Sequence, residues 1–323
     1  MAGPSPLHAL LGGLALALLT SWAAAWPTRP VTFIVPYQPG GGTDVVARIV
    51  QEPLSRQLAQ PIVIENRGGA GGSVGTAAAA KAAPDGYTML FTLSSHSINP
   101  VLYRKLPFDT ERDFRPVSLV ASLPQLFAVY PQTPYRTLAE LMEFAKRNPG
   151  RIDYASAGIG SPSHMAGELL KMKLDVFMVH IPYRGGGPAV AATMAGDVPL
   201  LIISIPAAMA QVRAGRLRPI AVSTAKRTSS LPEVPTVAEA TGLKDFEVDS
   251  WFAVFAPAKT PDEALLRMNK EIAAVVTRPD VKARLLEQGA EGISSSPEAL
   301  GQRVRREINE WRAVVTRANI EGE

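Results

Sequence analysis

Two glycine-rich turns, each between a strand-like segment and a helix-like one, constrain this chain more than any other feature. The turn at residues 36–44, PYQPGGGTD, follows an apolar β-branched run and precedes apolar residues at helical spacing. The turn at residues 67–73, RGGAGGS, follows a second such run and precedes an alanine-rich segment. Glycine lets backbone N–H groups turn toward a ligand, and the first turn of a helix has unpaired N–H groups that attract anions. The two turns therefore predict a site for a small anion, such as a carboxylate or a phosphate.

Strand-like and helix-like segments alternate along the chain, which predicts an α/β fold with mostly parallel sheets flanked by helices. Two strand-like segments rich in small residues, 116–122 and 220–225, are candidate crossings between two lobes. Crossings there would place residues 26–120 and 224–323 in lobe 1 and residues 121–223 in lobe 2. The ligand cleft would then lie between the lobes, at the carboxyl ends of the strands.

Local patterns also predict where individual helices begin. Capping-box patterns, in which Thr is followed three residues later by Glu, occur at 137–140 and 260–263. The apolar residues of 297–318 recur at helical spacing. We therefore expect helices to start at both threonines and one long helix to form at the C-terminal end.

The N-terminus has the pattern of a secretory signal peptide. Residues 10–19 form an apolar core too short to span a membrane, and the alanines at 23–25 supply small residues for cleavage. Removal of residues 1–25 would leave a periplasmic or secreted protein, and we expect the periplasm. The sequence contains no cysteine, so its stability depends on the core rather than on disulfides.

The composition argues against nucleic acid as a partner. The net charge is only +4, no dense run of Lys and Arg occurs, and aromatic residues make up 7%. A hydrophobic fraction of 46% and a charged fraction of 19% are typical of a soluble globular protein with a sizeable core. The partner is therefore expected to be a small molecule.

A serine hydrolase is an alternative that one short motif keeps open. Residues 71–75, GGSVG, match the G-x-S-x-G pattern in which Ser73 would be the nucleophile. Five of the eight residues from 68 to 75 are glycine, so a chance match is expected. The nucleophile also belongs directly after the strand, and residues 67–70 intervene here.

The sequence offers little for a cofactor or a metal ion. A dinucleotide site needs an acidic residue at the end of the next strand, and residues 91–95, FTLSS, contain none. His164 and Glu168 share a helix face, but no further metal ligands cluster with them. We therefore expect no cofactor and no metal, and His96 and His164 each either contact a ligand or support a loop.

Two further loops rich in small residues follow strand-like segments in the middle of the chain: SAGIGSPS at 156–163 and PYRGGG at 182–187. Four such turns, two in each lobe, exceed what reversing the chain requires. Hydroxyls and backbone N–H groups that face each other across a cleft would suit a ligand with two carboxylates. Arg184 either adds positive charge there or lies on the surface.

These segments resemble the Bug-type (TctC-like) solute receptors of tripartite tricarboxylate transport systems. The matching segments follow the family's order along the whole mature chain: PYQPGGGTD at 36–44, ENRGGAGG at 65–72, APDGYT at 83–88, INP at 98–100, YASAG at 154–158, VHIPYRG at 179–185, LPEVPTVAE at 231–239 and SWF at 250–252. The resemblance implies a two-lobed periplasmic binding protein fold, type II-like, that closes over its ligand.

The resemblance also implies which residues bind the ligand. The first two loops would hold one carboxylate, the third loop would hold the rest of the ligand from the opposite lobe, and the third strand would line the floor. The predicted residues are Tyr37, Gly41, Thr43, Asp44, Gly69, Ala70 and Gly71, then Thr92, Ser94 and His96, then Ser156, Gly158, Ser161 and His164, with Tyr183 of the fourth loop and Ser204.

One departure from the family pattern bears on the ligand. Relatives often carry an acidic residue in the strand at 199–206, where this chain has Ile203 and Ser204. An acidic residue there could pair with a ligand ammonium, so its absence argues against an amino acid. We therefore expect a non-enzymatic, monomeric receptor for a di- or tricarboxylate or an aromatic acid, which delivers its ligand to a membrane permease. A sensory co-receptor for a membrane kinase would use the same site and stays an alternative.

Overall fold

The computed structural model describes residues 26–320, except residues 38, 40, 41, 70, 71, 184 and 185. The predicted signal peptide, residues 1–25, lies outside the described residues. Within the described ranges, none of the helices combines the length and the apolar character that a membrane span requires.

Three parallel strands open the fold: β1 (Val31–Val35), β2 (Ile62–Asn66) and β3 (Thr88–Leu93), with β1 in the middle. The helices α1 (Gly42–Leu58) and α2 (Ser73–Ala80) follow β1 and β2, and each begins directly after a glycine-rich turn. Because β1 and β2 are parallel neighbours, both turns lie at the same edge of the sheet.

A second set of parallel strands has the same construction. It consists of β5 (Asp153–Ser156), β6 (Val179–Pro182) and β7 (Leu200–Ser204), with β5 in the middle. The third loop leads from β5 into α5 (Pro162–Leu174), and the fourth leads from β6 into α6 (Gly186–Ala195). The predicted alternation of strand, small-residue loop and helix is therefore confirmed in both sets.

One long strand, β4 (Phe114–Val129), joins the two sets. Its first part pairs antiparallel with β9 (Asp249–Pro257), which lies antiparallel beside β3. From Gln125 onward, β4 pairs antiparallel with β7 and with β8 (Arg218–Val222). The described strands form one sheet in the order β2-β1-β3-β9-β4-β7-β5-β6, with β8 and β10 (Glu291–Gly292) paired to β4. The predicted parallel pairing thus holds within each set, and the two joining strands add antiparallel pairs.

The other helices test the predicted helix starts. They are α3 (Ser95–Leu102), α4 (Leu138–Arg147), α7 (Ile205–Arg213), α8 (Val237–Thr241), α9 (Asp262–Val276), α10 (Pro279–Glu287) and α11 (Pro297–Arg317). The cap at Thr137 is confirmed, since its side chain accepts the Glu140 N–H at 3.2 Å, and so is the long C-terminal helix. The cap at Thr260 is wrong, because Pro261 occupies the N-cap position and the Thr260 hydroxyl is buried with no hydrogen bond to any described residue.

The C-terminal helix α11 packs against both sets of strands. Leu300 and Val304 belong to the buried cluster of the first set, whereas Trp311 and Val314 belong to a cluster of the second set. This apolar stripe has the 3.6-residue period that predicted the helix. The helix therefore braces the region where β4 passes from one set to the other.

The division of the chain into lobes stays a proposal. Leu231 and Val234 pack in the core around β7, and Phe246 packs in the core around α5. All three residues follow the predicted second crossing at 220–225. We therefore propose that the chain returns to the first lobe at Asp249, where β9 begins.

Candidate functional site

A cavity of about 280 Å³ lies where β4 passes from the first set of strands to the second. We call it the interlobe cavity. Its lining residues come from both sets: Tyr37, Gly42 and Thr43 from the first turn, Ala157, Ser161, Pro162 and Ser163 from the third loop, and Leu93, Leu123, Gln125, Ile203, Ser204, Ser250 and Phe252 from the strands between them. The N-terminal residues of α1 and of α5 thus line one space.

A second cavity of about 340 Å³ adjoins the interlobe cavity and shares part of its wall. The shared residues are Gly42, Leu123, Ser204 and Phe252. The rest of its lining is Gln288 together with the apolar side chains of Val45, Val46, Pro206, Ala207 and Ala290. A ligand with an apolar body has room on this side.

Hydroxyl groups, the Gln125 amide and apolar side chains, not charges, line the interlobe cavity. The hydroxyl-bearing residues are Tyr37, Thr43, Ser161, Ser163, Ser204 and Ser250. Among the residues that the structure describes, no Asp, Glu, Lys, Arg or His belongs to the lining. A carboxylate here would be held by O–H and N–H donors, and a buried ammonium would meet no acidic side chain of the described lining.

The first and second glycine-rich turns pack directly against each other. Gly72 has a φ of +92°, and a Cβ there would lie 2.9 Å from the Tyr37 hydroxyl oxygen. A Cβ on Gly75 would lie 2.5 Å from the Arg67 carbonyl oxygen and 2.7 Å from Pro36 Cα. Glycine at these two positions therefore allows α2 to start against the first turn.

Tyr37 is held in the cavity wall by Ser95, the first residue of α3. Its hydroxyl is hydrogen-bonded to Ser95 Oγ. Burial raises the pKa of Tyr37, so the phenol stays protonated at neutral pH and can donate a hydrogen bond. Thr92, in β3, lies outside the lining.

Asp44 lies in the first turn of α1, but its carboxylate is turned into the protein and is not part of the cavity lining. It accepts hydrogen bonds from Arg48 Nε at 2.9 Å and from Asn66 Nδ2 at 3.0 Å. Asn66 Nδ2 also donates to the Tyr37 carbonyl oxygen at 3.1 Å. Asp44 therefore ties the first turn to the end of β2.

The third loop forms a compact set of hydrogen bonds at the start of α5. Ser161 Oγ donates to the Gly158 carbonyl oxygen at 2.6 Å and accepts the His164 N–H at 3.2 Å as the N-cap of the helix. Ser163 Oγ accepts the Ala157 N–H at 3.1 Å and lies 2.9 Å from Ser161 Oγ. These bonds fix two serine hydroxyls at the cavity wall beside the helix N-terminus.

Two stacked histidines support this loop from behind. The His164 and His180 rings lie 3.9 Å apart at an interplanar angle of 16°. His164 Nδ1 accepts the Gly160 N–H at 3.1 Å, and Ser156 Oγ lies 2.6 Å from His180 Nε2. Burial lowers the pKa of His164 to about 4 and that of His180 to about 3, so both rings are neutral at pH 7. His164 and Ser156 therefore support the loop and lie outside the lining.

The other two predicted floor residues, Ser94 and His96, follow β3 and are buried. His96 is buried among the rings of Phe108, Phe114 and Phe255, and its closest ring centroid, that of Phe255, is 4.4 Å away. Both of its ring nitrogens, and Ser94 Oγ, are buried without a hydrogen bond to any described residue. Burial lowers the pKa of His96 to about 3. His96 is therefore a neutral side chain of an aromatic core.

The structure brings four of the sixteen predicted residues to the interlobe cavity: Tyr37, Thr43, Ser161 and Ser204. Those outside its lining are Asp44, Gly69, Thr92, Ser94, His96, Ser156, Gly158, His164 and Tyr183. Gly41, Ala70 and Gly71, together with Arg184, lie outside the described residues. The predicted ligand-binding set stays a proposal.

Several lining residues were missed by the sequence reasoning. Ser250 and Phe252 lie in the SWF segment, and Ser163 lies in the third loop. The sequence analysis selected both segments but did not choose these three residues as ligand-binding. Leu123 and Gln125 follow the predicted crossing and lie inside β4. No local pattern distinguishes them, because only the pairing of β4 with two different sets places them in the cavity.

The geometry around Ser73 does not resemble a hydrolase site. Ser73 is the first residue of α2, and no histidine is hydrogen-bonded to it among the described residues. His164 and His180 stack on each other in the second set of strands, and His96 is packed against the ring of Phe255. Over the described ranges, no cluster of His, Asp and Glu has the arrangement of a metal site.

The fold and the cavity between two sets of parallel strands define a periplasmic solute-binding protein. The family model of the tripartite tricarboxylate transporter family receptor, TctC, matches residues 46–320. The chain therefore belongs to this family, which confirms the predicted fold class and the predicted resemblance. Because its members are binding proteins, the chain is a receptor and not an enzyme.

Individual relatives match over nearly their whole length. The UPF0065 protein in the tcbD-tcbE intergenic region of Pseudomonas sp. (strain P51) is 38% identical over 311 residues, which cover 95% of this chain and 93% of that protein. Rpa4515 of R. palustris, solved with adipate, has a TM-score of 0.75 and 36% identity, covering 92% of this chain and 100% of that one. MatC (Rpa3494) of Rhodopseudomonas palustris, with bound malate, has a TM-score of 0.71 and 34% identity, covering 90% and 100%.

Proposed function

We propose that the interlobe cavity binds a small carboxylate, either a di- or tricarboxylate or an aromatic acid. The ligand would select a closed state in which the two lobes approach each other. The loaded receptor would then deliver it to the membrane subunits of a tripartite tricarboxylate transporter. In this proposal the chain is exported with cleavage near Ala25 and acts as a monomer.

The observation that carries this proposal is the placement of two helix N-termini at one cavity. Gly42 and Thr43 begin α1, and Ser161 caps α5, and all three line the same space. The first N–H groups of a helix and its dipole attract negative charge. Because the two helices belong to different sets of strands, a ligand with two separated polar ends could engage both.

Two further observations support a carboxylate with a carbon body. Relatives with about the same fold were solved with adipate and with malate, which are both dicarboxylates. The adjoining cavity of about 340 Å³ is lined mainly by apolar side chains, which suits the carbon body of a longer or aromatic acid. The uncharged described lining argues against an amino acid, whose ammonium would need a counter-charge.

A thermal-shift screen of residues 26–323 against carboxylates tests the proposal. The acids are citrate, malate, succinate, glutamate, nicotinate, benzoate and terephthalate. At about 100 times its Kd, a ligand stabilises the folded state by about 2.7 kcal/mol, which raises the Tm by several degrees. Stabilisation by at least one acid without its conversion supports the proposal. A flat screen, with no acid released from the denatured protein in mass spectrometry, would overturn it.

Two serine N-caps provide a matched pair of variants for the site. Ser161 and Ser296 each cap a helix, accept the N–H three residues on and precede a proline, but only Ser161 lines the cavity. We expect Ser161→Ala and Ser296→Ala each to cost about 1 kcal/mol of stability. Only Ser161→Ala should weaken acid binding, by about tenfold or more, because Ser161 Oγ holds the Gly158 carbonyl and the first turn of α5 in the geometry that presents backbone N–H groups to the acid. Equal affinities of the two variants would refute the role of Ser161.

A further inference from the structure

Gln125 occupies the one position in β4 where the pairing partner changes. Its neighbour Pro124 pairs with Asp249 of β9, whereas Gln125 itself pairs with Ser204 of β7. The side chain is 2% exposed and lines the interlobe cavity. A polar side chain in this buried position needs a hydrogen-bond partner for each of its polar atoms.

The surroundings of Gln125 determine the orientation of its amide. Nε2 lies 3.3 Å from the Leu123 carbonyl oxygen and 3.1 Å from Ser250 Oγ. A carbonyl oxygen can only accept, so the atom facing Leu123 must be the amide nitrogen. Both N–H groups of the amide are then used, and Ser250 Oγ acts as an acceptor.

Two polar functions therefore remain for a ligand at this wall. Gln125 Oε1 receives no hydrogen bond from any described residue, and it is not among the polar atoms sealed away from solvent. Ser250 Oγ accepts from Gln125, and its own proton has no acceptor among the described residues. An acceptor and a donor thus lie side by side on an uncharged cavity wall.

We propose that this Gln125–Ser250 pair binds a hydroxyl group of the ligand, and that the receptor therefore prefers a hydroxylated acid to its deoxy counterpart. A hydroxyl donates to Gln125 Oε1 and at the same time accepts from Ser250 Oγ. An ammonium can only donate, and a second carboxylate can only accept, so each would leave one of the two protein groups unpaired. The inference rests on the proposed carboxylate site and specifies which acids that site selects.

The preference has a physical basis in the buried amide. When the cavity closes over a deoxy acid, Gln125 Oε1 loses water without gaining a partner. A hydroxylated acid replaces the lost water with one accepted and one donated hydrogen bond. Sites built to hydrogen-bond a substrate hydroxyl discriminate strongly against the analogue that lacks it, by about tenfold or more even for a single neutral bond.

Calorimetric titration of residues 26–323 with pairs of acids that differ by one hydroxyl tests the inference. The pairs are malate and succinate, citrate and tricarballylate, and 4-hydroxybenzoate and benzoate. We expect the hydroxylated member of each pair that binds to bind at least about tenfold more tightly. In Gln125→Met the difference between the two members of a pair should fall below about threefold, because the hydroxylated acid loses its acceptor and the deoxy acid no longer leaves Oε1 unpaired.

Gln51→Met is the matched control, because Gln51 Nε2 also donates to a backbone oxygen, that of Ile62 at 2.8 Å, outside the cavity. It should leave the preference unchanged. Ser250→Ala removes the donor while keeping Gln125, and it should also reduce the preference for the hydroxylated acid. It provides the test if Gln125→Met fails to fold. An equal loss for both members of a pair would show a purely structural role and overturn the inference, as would equal wild-type affinities. Both of those outcomes would leave the proposed carboxylate site intact. If no acid bound at all, the proposed function would be overturned together with this inference.

Discussion

Arg303 holds together a buried group of charges at the joint between the two sets of strands. Its guanidinium pairs with Asp249 at the start of β9, and its Nε donates to Glu307 Oε1 at 2.8 Å. Glu307 also accepts Trp251 Nε1–H at 3.0 Å and Ser97 Oγ–H at 2.6 Å. The side chains of Asp249 and Glu307 are 2% and 9% exposed, so neither carboxylate can be well hydrated once Arg303 is removed.

Arg303→Met leaves these two carboxylates buried without their cation. Removing one partner of a buried ion pair typically costs about 3–5 kcal/mol, because the remaining charge stays desolvated. For a chain of this size, at about 2 °C for each kcal/mol, the Tm should fall by about 6–10 °C. The matched control is Arg306→Met on the same helix. The Arg306 side chain is 62% exposed and 3.9 Å from Glu247, so its loss should cost less than about 1 kcal/mol.

The pH dependence distinguishes a charge effect from a packing effect. Burial raises the pKa of Glu307, and Arg303 opposes that rise. Without Arg303 the pKa rises further, so the folded variant keeps a proton that the unfolded chain releases above about pH 4.3. The stability lost by Arg303→Met should therefore be largest at pH 7 and smaller at pH 5.

Differential scanning calorimetry of both variants at pH 7 and pH 5 measures these differences. Adding Glu307→Gln to Arg303→Met removes one uncompensated charge and should recover part of the lost Tm at pH 7. A loss for Arg303→Met below about 1 kcal/mol, or one independent of pH, would refute the reasoning that buried carboxylates carry the effect.

Two further substitutions test the packing around the first set of strands. Gly75→Ala places a Cβ within 2.7 Å of backbone atoms and should lower the stability by about 1–3 kcal/mol in a thermal melt, whereas Gly187→Ala, with nothing within 4 Å, should cause no loss. His96→Phe replaces two unpartnered ring nitrogens in an aromatic core and should raise the stability by about 1 kcal/mol. Because burial lowers the pKa of His96 to about 3, the wild type loses stability as the pH falls from about 6.5 toward 3, so the advantage of His96→Phe should widen in acid. The His96→Phe prediction would be contradicted if the variant and the wild type were equally stable at pH 7 and the difference between them were the same at pH 5.

Several features of the fold followed from local sequence patterns. The structure confirms the glycine-rich turns between strands and helices, the Thr137 cap and the helix Pro297–Arg317. Each of these could be predicted because it depends on residues that are close together in the sequence. Thr260 shows the limit of such patterns. Residues 260–263 have the capping-box pattern, but Pro261 occupies the N-cap position, so the helix begins without a side-chain cap.

The make-up of the cavity wall depended on pairings between residues that are distant in the sequence. Tyr37, Thr43 and Ser161 could be chosen because they lie at the turns that begin helices. Gln125 could not be chosen, because an apolar strand contains no sign that its partner will change from β9 to β7 at that residue.

The sequence by itself determined the family, the α/β class and the loops that begin α1 and α5, since these depend on short-range periodicity, glycine placement and recognisable segments. Only the tertiary structure decided which side chains reach the cavity, that His96 turns into an aromatic core, and that Arg303 joins Asp249 across 54 residues of sequence. The physical reason is that a strand or helix has several faces. Which face is buried against which neighbour is settled by the packing of the whole chain, not by the residues of the element itself.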